Sequence, residues 1–238
     1  MNIQKTLEAI ELFYGSPMAM MSDCLRGFLI AKPGYDLMAA DFSAIEARAL
    51  AWLAGEEKVL KVFRGHGKLY EHEAAGIYKV AIEDVTSDQR QMGKVAVLAL
   101  GYGGGKGAFA RMAKNFELVV KEATAEEIKH AWRASNPRIV KFWYDLERAA
   151  MNAVRSPRTK FKVRDITYIA AGSSLYCFLP SGRAICYMYP KLQIVETPWG
   201  AEKESLTYMF TDSNTHKWIR VGTHGGKLAE NVTQAVAR

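Results

Sequence analysis

The sequence has few of the features that stabilise small secreted proteins or anchor a chain in a membrane. It has three cysteines, Cys24, Cys177 and Cys186, and no two of them form a Cys-x-x-Cys pair. An odd number without paired spacing argues against a disulfide framework or a zinc site and is typical of a reducing compartment. No apolar run reaches the ~18 residues that a membrane span needs. The N-terminus, MNIQKTLEAIELF, is an amphipathic helical pattern with acids rather than a signal peptide. These absences predict a cytoplasmic protein with no membrane partner.

The charge balance is positive, with 32 lysines and arginines against 25 acids and a sequence pI of about 9.2. This excess favours a polyanionic partner, nucleic acid first, although it carries no information about the fold. A basic run, RSPRTKFKVR (155–164), is compatible with contacts to a DNA backbone and equally with a solvated loop. The 238 residues, 49% of them hydrophobic, are enough for one large domain or two small ones.

The first two thirds of the chain show mainly helical periodicity. RGFLIA (26–31) and YDLMAAD (35–41), separated by Pro33-Gly34, are the exception and predict a β-hairpin with Asp41 at its exit. Thr124 with Glu127 is a capping-box pattern, and Asn136-Pro137 is typical of a helix start. Helices are predicted at 3–14, 18–25, 43–53, 56–64, 68–79, 87–100, 124–134 and 137–154.

The last third has a different pattern. Short β-type runs lie between about Lys160 and Val221, and the turn signals Ser181-Gly182 and Asp212-Ser213-Asn214 separate them. KLAENVTQAVAR (227–238) is again helical in pattern. The fold class predicted from the whole chain is therefore α+β, mainly helical.

Asp41 is the first candidate for chemistry. A hard ion such as Mg²⁺ prefers oxygen ligands, often one or two carboxylates with substrate phosphates, and a carboxylate at a strand end would be held rigidly for that purpose. An aspartate before a helix is also an ordinary N-cap, and the local sequence alone favours the cap.

A second candidate is a stripe on the helix predicted at 87–100. Arg90, Lys94, Leu98 and Tyr102 recur every four residues, which places them on one side of a helix. Two cations followed by an aromatic ring would suit a ligand that carries an anionic group and a planar ring. The alternative is that the cations form a solvent-exposed basic side of the helix. The glycines at 101–105 follow a helix, whereas phosphate-binding loops precede one, so we interpret them as sites of close backbone approach or as a hinge.

Together the two segments resemble a known family. DFSAIEARALAWLAGE (41–56) resembles motif A of the family A DNA polymerases, the DNA polymerase I type, and RQMGKVAVLALGYG (90–103) resembles their motif B. The order and separation of the motifs match as well. LPSGR (179–183) and the final ENVTQAVAR resemble the phage-type members, so the resemblance covers nearly the whole chain.

The resemblance implies roles for the phosphate end of a nucleotide. Asp41 corresponds to the catalytic aspartate that ligates both Mg²⁺ ions of the complete enzyme, and the backbone carbonyl of Phe42 to a further metal ligand. Two such ions activate a primer 3′-hydroxyl and stabilise the leaving pyrophosphate. Arg90 and the catalytic Lys94 correspond to the residues that hold the triphosphate of the incoming deoxynucleotide.

It also implies roles for the sugar, the base and the DNA. Tyr102, followed by Gly103, corresponds to the tyrosine beside the templating base. Glu46 corresponds to the acid that packs against that tyrosine and excludes a ribose 2′-hydroxyl. Gln234 corresponds to a glutamine that contacts the template–primer. Leu98 replaces the aromatic residue that usually contacts the incoming nucleotide, which puts nucleotide selection in doubt. Ala44 stands where the family usually has a glutamine, and Tyr70 where it frequently has a histidine.

The resemblance further implies a subdomain layout: a partial antiparallel palm with motif A at 1–55, fingers with motif B at 56–154, a β-rich insertion at 155–226, and the start of a palm helix at 227–238. The family's second catalytic aspartate lies in a His-Asp-Glu motif, which is absent from these 238 residues. We therefore expect a fragment of a DNA-directed DNA polymerase, of a replication or repair type, with little or no activity alone.

Two alternatives stay open at this point. A non-catalytic nucleotide- or DNA-binding module derived from such a polymerase would need the basic residues and not the second acid. A 3′–5′ exonuclease is less compatible with the sequence, because its metal-binding acids are typically two residues apart on a strand, whereas Asp41 and Glu46 are five apart. The expected partners are a DNA template–primer and deoxynucleotides; the oligomeric state is left open.

Overall fold

A computed structural model describes residues 3–196 and 200–238. The chain divides into two compact units, Met1–Ser43 and Ala44–Arg238, which we call the N-terminal and the C-terminal unit. Each is described by itself. The four predicted subdomain boundaries are not tested by this division and stay a prediction.

The N-terminal unit is helical where it has regular structure. Helices α1 (Ile3–Tyr14) and α2 (Pro17–Cys24) are followed by a 3₁₀ turn, Leu25–Phe28. Gly15, at a φ of +75°, ends α1, and Pro17 takes the first position of α2, where its missing N–H costs nothing.

The predicted hairpin at 26–31 and 35–41 is wrong for the described structure. No strand forms between Leu29 and Phe42, and the chain makes only a turn there, in which the Tyr35 amide donates to the Lys32 carbonyl at 2.9 Å. A two-stranded hairpin is marginal in water without a third strand or a packed face. The apolar side chains of this segment, Met38 among them at 96% exposure, have no such cover within the unit.

The C-terminal unit begins with helices, and the periodicity predicts all of them except the helix Lys106–Asn115. They are α3 (Ile45–Ala54), α4 (Glu57–Arg64), α5 (Leu69–Tyr78), α6 (Ser87–Leu100), α7 (Lys106–Asn115), α8 (Glu122–Ser135) and α9 (Pro137–Arg155), with a 3₁₀ turn at Ile82–Asp84 and α10 (Gly225–Ala237) at the end. The α6 boundaries are those predicted, and a full capping box between Thr86 and Gln89 fixes its start.

Two local predictions in this unit are wrong. Helix α7 was not predicted, because Gly107 near its start continues a glycine-rich stretch typical of a loop. Thr124 and Glu127 do not form a capping box; α8 begins earlier, at Glu122, so both residues lie inside the helix. Asn136 does precede α9 with Pro137 at its first position, as predicted, although the Asn136 amide donates to the Trp132 carbonyl instead of capping.

The β-rich region forms one sheet in which all strands are antiparallel and follow each other in chain order. The strands are β1 (Phe161–Val163), β2 (Ile166–Ala171), β3 (Ser174–Phe178), β4 (Ala184–Glu196), β5 (Glu202–Thr211) and β6 (Trp218–Gly222). The predicted turns at 181–182 and 212–214 join β3 to β4 and β5 to β6. A register shift in β4 between Met188 and Lys191 bends the long strand.

The main core lies between α9, α10 and one face of the sheet. Leu146 of α9, Leu228 and Val232 of α10, and Tyr168 and Leu175 of the sheet are fully buried in it. Each of the leucine and valine side chains contributes roughly 1.5–3 kcal/mol to folding. The indole rings of Trp132 and Trp143 stack with centroids 6.1 Å apart and fix α8 on α9. This core holds α6 and α10 in place around the candidate site.

Within the described ranges, the helices are all too short or too polar to cross a bilayer.

Candidate functional site

The predicted stripe exists as the less buried side of α6. Arg90, Lys94 and Leu98 are partly or largely exposed, while Val95, Ala96, Ala99 and Leu100 on the other side are buried in the core. Tyr102 lies in the turn directly after the helix. The stripe is therefore accessible to a ligand along its length, with the cations at its start and the aromatic ring at its end.

Arg90 is held by groups from the neighbouring helix α5. Its Nε donates to Glu71 Oε1 at 2.9 Å, and its guanidinium lies 5.4 Å from the centre of the Tyr70 ring. The Arg90 side chain is still 44% exposed. A partly exposed ion pair of this kind contributes little stability and leaves guanidinium N–H groups available to an anion.

Lys94 lies one helical turn further along. Its Nζ is 5.0 Å from the centre of the Phe116 ring, a cation–π distance. None of the described carboxylates forms an ion pair with Lys94. Its positive charge is thus uncompensated by an acid on this side of α6.

Glu46 and Tyr102 meet although 56 residues separate them. Tyr102 Oη donates to Glu46 Oε2 at 3.4 Å, from the turn after α6 to the first turn of α3. Burial first, and the charge of Glu46 second, raise the pKa of the Tyr102 hydroxyl, so it stays protonated and able to donate at neutral pH. The contact therefore places a carboxylate beside the aromatic ring at the Tyr102 end of the stripe.

Glycine makes a close approach possible behind Tyr102. A Cβ on Gly226, in the first turn of α10, would lie 2.0 Å from the Tyr102 carbonyl oxygen. Gly103 has a φ of +79°, and Arg133 of α8 donates to the carbonyls of Gly103 and Gly104. A Cβ on Gly104 would lie 1.9 Å from the Ala99 carbonyl oxygen, whereas one on Gly105 would meet no atom within 4 Å. The interpretation of the 101–105 glycines as sites of close backbone approach is therefore confirmed for Gly104 and wrong for Gly105.

A small cavity lies behind the stripe. Its volume is about 30 Å³, and Glu46, Glu73, Leu98 and Tyr102 contribute to its walls. This is room for one or two water molecules. A nucleotide therefore has to lie on the open side of the stripe rather than in this cavity.

Glu73, on α5, is the one buried acid of this cavity wall, and burial raises the pKa of its carboxyl to about 7 against the opposing attraction of Lys58. The pKa of a glutamate in an unfolded chain is about 4.3. The folded protein holds the proton more tightly, so the contribution of Glu73 to stability is complete below about pH 4.3 and falls as the pH rises to about 7, by up to about 3 kcal/mol.

We accordingly expect Glu73→Gln to flatten the pH dependence of the unfolding free energy between about pH 4.5 and about pH 7 and to be more stable than the parent at higher pH. Urea unfolding across this range measures it. The exposed Glu127→Gln serves as the control and should keep the parent's slope. Equal slopes in the parent and in Glu73→Gln would contradict the assignment.

Asp41 and Phe42 belong to the N-terminal unit. Both are exposed, in a segment without regular structure, so Asp41 is not at a strand end. The Asp41 carboxylate and the Phe42 carbonyl are two oxygen donors, which is the type that Mg²⁺ prefers. Within residues 3–196 and 200–238, no three His, Cys, Asp or Glu side chains cluster as a complete metal site. The residues present fit part of a magnesium coordination sphere.

Gln234 lies near the end of α10, which packs against α9 and α3. Its side chain is partly exposed, next to the buried Val232 and Thr233. The structure thus brings Glu46, Arg90, Lys94, Leu98, Tyr102, Gly103 and Gln234 into one unit.

Sequence reasoning missed the groups that hold the cations. Glu71 binds Arg90 across 19 residues, and Phe116 lies under Lys94 from the turn after α7. Neither has a local pattern that points to its partner, because the pairing depends on how separate helices pack. Arg133 was missed for the same reason.

Comparison with known proteins shows the family of this chain. A family model described as DNA polymerase family A matches residues 17–169, more than half of the chain. The chain belongs to DNA polymerase family A. The matched range includes both motifs and every predicted site residue except Gln234.

Family A relatives cover the chain to different extents. It is 46% identical to a DNA polymerase of Bacillus phage SP02 over 233 residues, which are 97% of this chain and 35% of that protein. It is 39% identical to DNA polymerase I of Pseudomonas aeruginosa over 101 residues, 42% of this chain and 11% of the relative. With DNA polymerase I of Geobacillus stearothermophilus the identity is 29% over 117 residues, 49% of this chain and 13% of the relative. The chain therefore spans about a third or less of these family A members.

Proposed function

We propose that this chain carries the incoming-nucleotide site of a DNA-directed DNA polymerase, which transfers deoxynucleotides to a primer 3′-hydroxyl under the direction of a template. The observation that carries the proposal is the accessible stripe of α6, with two cations at one end and the Glu46–Tyr102 contact at the other. Membership of family A supports it.

The cations suit the triphosphate. The planar guanidinium of Arg90 can donate two parallel N–H bonds to phosphate oxygens, and Lys94 adds a compact positive charge one turn away. Both keep exposed donors in the structure. Positive charge fixed at this position offsets the negative charge that develops on the phosphates during transfer.

Asp41 and the Phe42 carbonyl are proposed to bind Mg²⁺. When bound, two metal ions supply the charge that lowers the cost of forming the attacking oxyanion and of releasing pyrophosphate. The second acid expected for such a site, in a His-Asp-Glu motif, is absent from these 238 residues. We therefore propose that the chain binds a nucleotide but does not extend a primer at the rate of a complete polymerase.

Glu46 and Tyr102 are proposed to select the sugar. The hydrogen bond between them holds the carboxylate near the tyrosine hydroxyl. A ribose 2′-hydroxyl at this position would meet the pair, whereas a deoxyribose would not. Leu98, one turn before Tyr102, adds an aliphatic surface where a nucleotide would rest. Gln234 is proposed to contact the template–primer.

This selection is tested by comparing the affinities of the chain for dATP and ATP. We expect Glu46→Ala to reduce the preference for the deoxynucleotide by about 10- to 100-fold, because the variant opens the space that excludes the hydroxyl. The matched control is Glu57→Ala, an exposed glutamate of α4, which should keep the preference. An unchanged ratio in Glu46→Ala would remove the role of Glu46.

A further inference from the structure

The outer face of the first three strands is free of the core. Along β2, Tyr168 and Ala170 are buried, while the alternate residues Thr167 and Ile169 face the other way and are partly exposed. The strand register places Phe178 opposite Thr167 and Tyr176 opposite Ile169. We call the surface formed by Lys160, Lys162, Thr167, Ile169, Tyr176 and Phe178 the outer sheet face. It includes a shallow hollow of about 520 Å³, within the size range of ligand sites, which all of these residues except Lys162 line together with Ala171.

Two aromatic rings form the floor of this hollow. Tyr176 and Phe178 are two residues apart on β3, so both point to the same side, and their ring centroids are 6.3 Å apart at an angle of 32°. Phe178 is 39% exposed. Exposed rings at this spacing offer π-faces to flat ligands. A stacked ligand would also remove apolar ring surface from water.

The charge around the rings is strongly positive. Between residues 155 and 195 the sequence has seven lysines and arginines and one acid, Asp165. Arg155 is paired with Glu204, and Arg183 donates to the Ala235 carbonyl. Lys160 and Lys162 form no ion pair with any carboxylate of the described residues. One cation without an acidic partner, Lys160, therefore lines the hollow, and a second, Lys162, lies opposite Thr167 on the same face.

We propose that the outer sheet face binds single-stranded nucleic acid, with bases stacked on Tyr176 and Phe178 and phosphates near Lys160 and Lys162. Rings and cations on one face, here separated by strand β2, suit an unpaired strand, because stacking needs free base faces and the backbone needs positive charge. A duplex hides its base faces, so it would use the lysines alone. This site is separate from the α6 stripe and does not depend on the nucleotide proposal.

The parent protein contains its own probe for this site. Cys186 of β4 is exposed and lies directly opposite Tyr176 in the register, while Cys24 is exposed in the N-terminal unit. We expect a twelve-residue oligo-dT to slow alkylation of Cys186 by iodoacetamide and to leave Cys24 unaffected, as measured by peptide mass spectrometry. A blunt duplex of the same length should protect Cys186 less. Equal alkylation of Cys186 with and without saturating oligo-dT would overturn the proposal.

Variants give a second, independent test by fluorescence anisotropy of labelled oligo-dT. Phe178→Leu keeps the apolar volume and removes the ring, and we expect roughly 10-fold weaker binding. Trp218→Ala, at an exposed ring of β6, is the control and should bind like the parent. The salt slope is the change in the logarithm of the binding constant with the logarithm of salt concentration. Removing both lysines, Lys160→Ala with Lys162→Ala, should lower the magnitude of this slope by about 1.4.

If a folded Phe178→Leu protein binds oligo-dT as the parent does, or if the double lysine variant keeps the parent's salt slope, the proposed binding of a single strand at the outer sheet face is contradicted. The dATP affinity of both variants should equal that of the parent. If dATP binding is absent from the parent while oligo-dT still protects Cys186, the proposed nucleotide site fails and the strand-binding site stands.

Discussion

Replacing both cations of the α6 stripe, Arg90→Ala with Lys94→Ala, is expected to weaken dNTP binding by about 100-fold or more. Hydrogen bonds to charged groups contribute about 1.5–3 kcal/mol each, and the two side chains act on one triphosphate. Isothermal titration of dATP at fixed salt measures the change. The double replacement Lys61→Ala with Arg64→Ala, two exposed cations of α4, is the control for a general loss of positive charge and should change little.

The variant Glu71→Gln distinguishes a binding role of Arg90 from a purely structural one. If Arg90 only holds α6 against α5 through its bond to Glu71, Glu71→Gln and Arg90→Ala should cost similar stability and neither should affect dATP binding. If Arg90 binds the triphosphate, Glu71→Gln removes a competitor and dATP affinity should stay equal or rise. Parent-like affinity in the double cation variant would contradict the proposed triphosphate site.

Gly93→Ala is expected to destabilise the C-terminal unit by about 3 kcal/mol or more, at the upper end for an overfilled core. A Cβ at this position of α6 would lie 2.1 Å from the Tyr70 carbonyl oxygen and 3.0 Å from the Ala74 amide nitrogen, both in the backbone of α5. Backbone atoms in a packed helix cannot move aside as a flexible side chain does. The helices would have to separate, which would also displace Arg90 from Tyr70 and Glu71.

Gly76→Ala is the matched control for this prediction. Gly76 is also a helical glycine, in α5, but a Cβ there meets no atom within 4 Å. The same substitution should therefore stabilise the protein by about 0.5–1 kcal/mol, since alanine favours the helix. Urea unfolding compares the two variants. Equal stabilities would show that the close packing of α5 and α6 is not what requires glycine at position 93.

The parts of the fold that the sequence predicted well are those with local causes. The boundaries of α6 follow from a 3.6-residue periodicity and from the Thr86–Gln89 cap, both of which lie within the helix and its first turn. Strand β2 alternates between buried and partly exposed residues, and turn residues separate β3 from β4 and β5 from β6. Such patterns need no knowledge of distant residues.

The failures have a common physical origin in contacts that are not local. The strands predicted at 26–31 and 35–41 would need neighbours to pair with, and the described N-terminal unit has none to offer. The contact of Tyr102 with Glu46 was available only through the resemblance to family A, since 56 residues separate the two. The partners of Arg90 and Lys94 were not foreseen at all, because helix packing selects them.

The central claim is that the chain binds a deoxynucleotide together with Mg²⁺, and Mg²⁺-dependent dATP affinity tests it most directly. In the parent, and in Asp36→Asn as the matched control, Mg²⁺ is predicted to strengthen dATP binding. In Asp41→Asn the strengthening is predicted to disappear, while the affinity without Mg²⁺ stays at the parent's value. If Asp41→Asn retains the full effect of Mg²⁺ on dATP binding, the account is contradicted.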